Sequence, residues 1–146
     1  MQFDDLQDER SLNGDDWLAE ANCQAIPRRI LFADEKSAET DALTSFLRGR
    51  GHQVHVVDSL PEELEIVPAL NPSVVFLAVD TPELNGWELC RHLRKQEGSE
   101  AMAIFGLLGE APEAYAHHCR VVPFDAYLTK PIDLELAERL VDCCPP

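Results

Sequence analysis

SVVFLAV, from Ser73 to Val79, is the most apolar run of the 146-residue chain. Pro72 opens it and the loop Asp80 to Gly86 closes it. An unbroken apolar run of this length between turn residues reads as a strand buried on both faces, the signature of a parallel sheet. Working outward, RILFA (Arg29–Ala33) and QVHVV (Gln53–Val57) precede it, and Met102 to Leu108 and Ala126 to Thr129 follow it. Helical stripes fill the intervals. Glu35 to Arg48 carries Ala38, Ala42, Leu43, Phe46 and Leu47, and Gly49 and Gly51 stop it. Leu60 to Leu70 starts with Pro61, Glu62 and Glu63, with Pro68 disturbing its last turn. A third helix, from Gly86 to about Gln96, places Trp87, Leu89, Cys90 and Leu93 on one side, and Gly98 ends it. Pro112 to Arg120 is a fourth helix. Asp133 caps a fifth that carries Leu134, Leu136, Ala137, Leu140 and Val141. Five strands alternating with five helices predict an α/β fold: a doubly wound, five-stranded parallel sheet with helices on both faces.

Length and an apolar fraction of 45% fit one folded domain of ordinary size. With 27 acidic against 12 basic residues the net charge is −15, which excludes an electrostatically driven nucleic-acid binder and disfavours anionic membranes. No apolar run approaches the ~20 residues of a membrane span. The acidic start is the opposite of a signal peptide's basic one, so a cytoplasmic location is expected. Residues 1–27 read as an acidic leader, partly disordered or holding one short helix, and residues 28–146 as the folded domain. The leader carries seven acidic residues against Arg10, so −6 of the −15 is its own. Five cysteines without a C-x-x-C suggest neither a disulfide framework nor a zinc site. Cys143 and Cys144 are expected to form a frayed, reduced end. His117, His118 and Cys119 are adjacent on a helix and point apart, which argues against a metal site. His52, His55 and His92 are expected at strand edges and on the surface.

In a sheet of this kind, sites form at the carboxyl ends of the strands. Three segments stand at those ends: ILFADE (Ile30–Glu35), PELNGWELCRHLR (Pro82–Arg94) and FDAYLTKPID (Phe124–Asp133). Together they resemble the receiver domain of two-component response regulators, a CheY-like, flavodoxin-like fold, over Arg28 to about Cys143. The resemblance implies a pocket in which two acidic residues hold Mg²⁺ and an Asp ending the third strand accepts a phosphoryl group. A hydroxyl ends the fourth strand and a Lys ends the fifth. Cation and ammonium together would neutralise an in-line phosphoryl transfer. Asp34 and Glu35 match the acidic pair, Lys130 the lysine, Tyr127 the aromatic switch, and Pro131 a proline that the family tends to hold after a cis peptide bond. The phosphoacceptor position, counted back from Pro82 and from Gly86, falls on Ala78. The hydroxyl position falls on Leu108. Pro123 stands where a glycine is usual.

The resemblance therefore implies a pseudo-receiver without catalytic residues: a stand-alone two-component (phosphorelay) signalling domain, not an enzyme, acting by protein–protein contact. Asp34, Glu35, Asp80 and Lys130 would be the pocket remnant. Lys130 is expected to pair with one of the acids, the alternative being a weak Mg²⁺ site on Asp34 and Glu35. Tyr127 is expected to hold a fixed rotamer. Partners would be a histidine kinase, a regulator or another receiver, including a homodimer through the fourth helix, fifth strand and fifth helix. Two other readings remain. One is an active phosphoacceptor that uses Mg²⁺ and Asp80 as a displaced carboxylate; the other is a small-molecule binder in the vacated pocket.

Overall fold

The computed structural model describes residues 26–35, 37–58, 67, 70–79, 86–96, 101–109, 115 and 124–144. In chain order the elements are β1 (Arg29–Ala33), α1 (Ala38–Gly49), β2 (Gln53–Val57), β3 (Val74–Ala78), α2 (Gly86–Arg94), β4 (Ala103–Leu108), β5 (Ala126–Thr129) and α3 (Leu134–Asp142). The leader up to residue 25, Asp80, Pro123 and nearly all of the expected helices Leu60–Leu70 and Pro112–Arg120 lie outside the described residues.

All five strands pair in parallel in the order β2-β1-β3-β4-β5, with the switch in direction of winding between β1 and β3. Every residue of β3 is buried, as its composition requires. Strand alternation divides the side chains into two cores. Ile30, Phe32, Val74, Phe76, Phe105 and Leu107 face Leu43 and Leu47 of α1 and Ala137, Leu140 and Val141 of α3. In the register Phe32↔Phe76↔Phe105, three rings stack across neighbouring strands at 5.6 and 5.4 Å. Leu31, Val75, Leu77, Ile104, Leu108 and Tyr127 point the other way, against Trp87, Leu89, Cys90 and Leu93 of α2.

The caps explain the helix boundaries. Ser37 Oγ accepts from Thr40 N at 3.1 Å, so α1 begins at Ala38, three residues after the expected start at Glu35. Gly51, at φ +96°, allows the turn into β2. Asp133 Oδ1 accepts from Glu135 N and Leu136 N and starts α3. The buried face of α1 also differs from the apolar stripe. Ala38 and Ala42 are exposed, while Thr40 and Thr44 are buried beside Leu43 and Leu47. Each threonine hydroxyl donates to a backbone carbonyl, Glu35 O at 3.0 Å and Thr40 O at 2.9 Å, so burial leaves no polar atom stranded.

The amino-terminal edge of the sheet corrects two expectations. His52 is buried rather than exposed, and its Nδ1 accepts from Arg28 N at 3.1 Å. The chain end after α3 is packed, not frayed: Cys143 and Cys144 are both buried, and Cys143 is disulfide-bonded. The Arg28 side chain explains the packing. Its Nη2 donates to Cys144 O at 2.6 Å and to Asp142 O at 3.3 Å, taking up carbonyls that the end of α3 leaves open.

Burial pushes the His52 imidazole below its ordinary value of 6.5; Arg28 pushes the same way, and Asp142 and Glu138 oppose it. The folded chain thus holds His52 neutral where the unfolded chain protonates it. That contribution to stability is complete above ~6.5 and is lost as pH falls through the folded value. Urea midpoints measured between pH 7.5 and 5.5 are expected to drop on the acid side. His52→Asn, which retains an acceptor but does not titrate, is expected to flatten the slope.

Candidate functional site

At the carboxyl edge, β1 ends in Asp34 and β5 leads into Lys130. The Lys130 ammonium lies 2.8 Å from Asp34 Oδ2. The carboxylate is almost wholly buried, at 3% exposure, whereas a quarter of the lysine side chain reaches solvent. Asp34 Oδ1 accepts from Glu35 N at 2.7 Å, and Asp34 N donates to Val57 O at 3.1 Å. Both carboxylate oxygens are therefore engaged by the chain itself. Glu35 is exposed.

Three backbone features hold Lys130 in place. Its N–H donates to Leu108 O at 2.7 Å, extending the β4–β5 pairing past Thr129. The Lys130–Pro131 peptide bond is cis. Ile132 N then donates to Glu39 Oε2 at 2.8 Å, which ties this turn to the first turn of α1. The role of Glu39 was not visible in the sequence, where it reads as one of several acids favourable at a helix start.

Ala78, at the end of β3, is 1% exposed, and Leu108, at the end of β4, is fully buried. A Cβ at Gly86 would run into the backbone carbonyl of Ala78. Helix α2 thus starts directly against the end of β3, at a distance no side chain allows. Asp80 lies outside the described residues. Among the described residues, no group of three or more His, Cys, Asp or Glu side chains could hold a metal. Among the described residues the donor set fits a divalent cation poorly: Asp34 is paired with Lys130, Glu35 is exposed, and Ala78 brings a methyl group.

Tyr127 is buried at 3% exposure, on the α2 face. Its ring packs on Phe124 and Trp87 at centroid separations of 5.0 and 6.1 Å, and Trp87 also meets Phe124 and Tyr115. Beneath it lies Gly106 of β4, where a Cβ would come 2.7 Å from Tyr127 Cδ1 and 3.2 Å from Phe124 Cε1. A glycine in the middle of a buried strand is a recognisable signal of close approach, and here it makes the slot for the tyrosine ring. Asp125, on the same segment, accepts from Ile104 N at 2.7 Å and from Arg94 at 2.5 Å, fixing the entry to β5 against α2.

A cavity of about 420 Å³ opens at the opposite edge of the sheet, between Pro27, Arg29, Asn71 and Ser73. It does not adjoin Asp34 and Lys130. Among the described residues no helix is long and apolar enough to cross a membrane.

Comparison with known proteins agrees with this geometry. The response regulator receiver domain family matches residues 30–142. Protein PilH of Pseudomonas aeruginosa is 29% identical over 114 residues, covering 78% of this chain and 94% of PilH. Protein RcaC of Microchaete diplosiphon is 26% identical over 117 residues; the match takes in 80% of this chain but only 18% of RcaC. Among solved structures, the receiver domain of the sensor histidine kinase PA1611 from Pseudomonas aeruginosa, with a magnesium ion in its active-site cleft, superposes with a TM-score of 0.71. It is 21% identical and covers 82% of this chain and 98% of that one. With its five-stranded parallel sheet, its Asp34–Lys130 pair and its match from strand to final helix, the chain belongs to the response regulator receiver domain family.

Proposed function

We propose that this receiver transmits without phosphoryl transfer at its third strand and works through protein–protein contact. One observation carries the reading: β3 ends in the methyl group of Ala78, the residue that the resemblance aligns with the acceptor, while the Asp34 carboxylate is bound to Lys130. A methyl group is no nucleophile, and Leu108 offers no hydroxyl to report a phosphoryl group. The Asp34–Lys130 contact then serves as a structural ion pair closing the pocket between β1 and β5. Candidate partners are a histidine kinase, another regulator or a second receiver, and the aromatic cluster around Tyr127 has a fixed arrangement set by Gly106.

Incubation with an acyl phosphate and Mg²⁺ is expected to leave the intact mass unchanged. A stoichiometric, acid-labile gain of one phosphoryl group would overturn the proposal, and its loss in Asp80→Asn would assign the acceptor to Asp80. Ala78→Asp supplies the missing carboxylate and is expected to create Mg²⁺ binding, measurable by calorimetry, that the parent chain lacks.

The ion pair is tested by a double-mutant cycle. Lys130→Met strands the Asp34 carboxylate and is expected to cost on the order of 2–3 kcal/mol, somewhat below a fully buried pair because the lysine reaches solvent. Adding Asp34→Asn should recover part of that loss. A metal site would instead make the stability of Lys130→Met rise with Mg²⁺.

Gly106→Ala drives a methyl group into the Tyr127 ring. Chemical denaturation is expected to show a loss of about 1–3 kcal/mol, the usual range for overpacking. In a Trp17→Phe background the emission of Trp87 should shift as the rings part, whereas the acyl phosphate should leave that emission unchanged.

A further inference from the structure

His52 stands where three segments meet. Its Nδ1 accepts from Arg28 N at 3.1 Å, and its own backbone N–H donates to Leu47 O at 3.3 Å. A neutral imidazole has one acceptor nitrogen, and the Arg28 N–H occupies it, so the ring proton belongs on Nε2. The Arg28 guanidinium reaches from the same residue to Asp142 O and Cys144 O, at 3.3 and 2.6 Å. Those carbonyls end α3, where the helix has no donors of its own left. A line of contacts thus runs from one ring nitrogen, through Arg28, to the carboxyl end of α3.

The charges around the ring are mixed. Arg28 faces it from the start of β1 and opposes a second positive charge, whereas Asp142 and Glu138 face it from α3 and favour one. Glu138 is already engaged by Arg50 at 2.6 Å, and Arg48, in the last turn of α1, is turned to Val54 O at 2.9 Å. Burial outweighs the charges and keeps the ring neutral. Water is nonetheless close. Arg28 and both chain neighbours of His52, Gly51 and Gln53, line the cavity of about 420 Å³ at this edge.

We propose that His52 is a proton-operated latch that holds the carboxyl end of α3 closed through Arg28. A proton from water on Nδ1 turns both ring nitrogens into donors, and Arg28 N loses its acceptor. The imidazolium then shares a buried corner with the Arg28 guanidinium, and like charges there repel. Arg28 withdraws, the carbonyls of Asp142 and Cys144 lose their donor, and the last residues of α3 open to water. The opening is local, because Ala137 and Leu140 stay packed on the sheet and β1 stays paired with β2. It is therefore distinct from a loss of stability of the whole fold. Once open, His52 has its ordinary value of 6.5, so the open population grows about tenfold per pH unit below it, until the closed ring also takes up a proton.

The test is amide exchange of the full chain, followed by NMR at Cys143 and Cys144, whose N–H groups donate to Arg139 O and Val141 O. With the chemical exchange rate at each pH divided out, their protection is expected to fall about tenfold between pH 7.5 and 5.5. Low concentrations of urea should leave that protection unchanged, because a local opening exposes little surface. Amides of β3, held between β1 and β4, should instead respond steeply to urea. His52→Asn keeps an acceptor for Arg28 N and does not titrate, so it should abolish the pH-dependent part at Cys143 and Cys144. Retention of that part in the variant would overturn the proposal. The parent chain decides even if the variant does not fold. Protection at the end of α3 that ignores pH, or that follows urea as steeply as β3 does, would equally overturn the latch.

Discussion

A carboxylate buried to 3% exposure has to be neutralised or protonated, and Asp34 is neutralised by the Lys130 ammonium at 2.8 Å. Much of the carboxyl edge is organised around that contact. It joins the ends of β1 and β5, which are separated in the sheet by β3 and β4. Lys130 can reach across only because its own backbone is fixed on Leu108 O and the following turn is fixed on Glu39. With no carboxylate on Ala78, the cation has one buried acid to answer rather than two. The pair is then a closed unit, and further charge entering the pocket would have to compete with it.

The fold was legible because its strands are short, apolar and separated by clear helix stops. β1, β2 and β5 have the bounds their composition suggests, β4 begins one residue later than its apolar run, and β3 is one residue shorter at each end. The buried face of α1 was less legible. Alanines look apolar in a helical stripe, yet Thr40 and Thr44 take the inner positions once their hydroxyls find carbonyls within the same turn. Apolar periodicity sees carbon, and it does not see a satisfied hydroxyl. At the site, Asp34 and Lys130 could be picked out as strand-end residues. Glu39 and Asp125 could not, because each bonds a backbone N–H that is remote in sequence.

The amino edge was least legible. Arg28 looks like one more charge before a strand and His52 like a residue after a turn. Together they join three chain segments: the start of β1, the approach to β2 and the end of α3. Burial of His52 is tolerable because the imidazole is neutral and accepts a backbone proton. Burial of Arg28 is tolerable because helix carbonyls, which carry partial negative charge, face its guanidinium. Neither partner is within 20 residues in sequence, so no local pattern announces them.

The two edges of the sheet therefore differ in what can change. At the carboxyl edge an ion pair joins the ends of β1 and β5, the methyl group of Ala78 ends β3, and Gly106 seats the Tyr127 ring against the core. At the amino edge stand a histidine poised below its ordinary protonation and a disulfide-bonded cysteine beside an arginine clamp. These groups sit where the start of β1, the approach to β2 and the end of α3 meet. Helix α3 packs on α1 and on the sheet through Ala137, Leu140 and Val141, which ties the chain's last helix to both. The same helix therefore touches both edges: its cap, Asp133, stands three residues after Lys130, and its last carbonyls accept from Arg28.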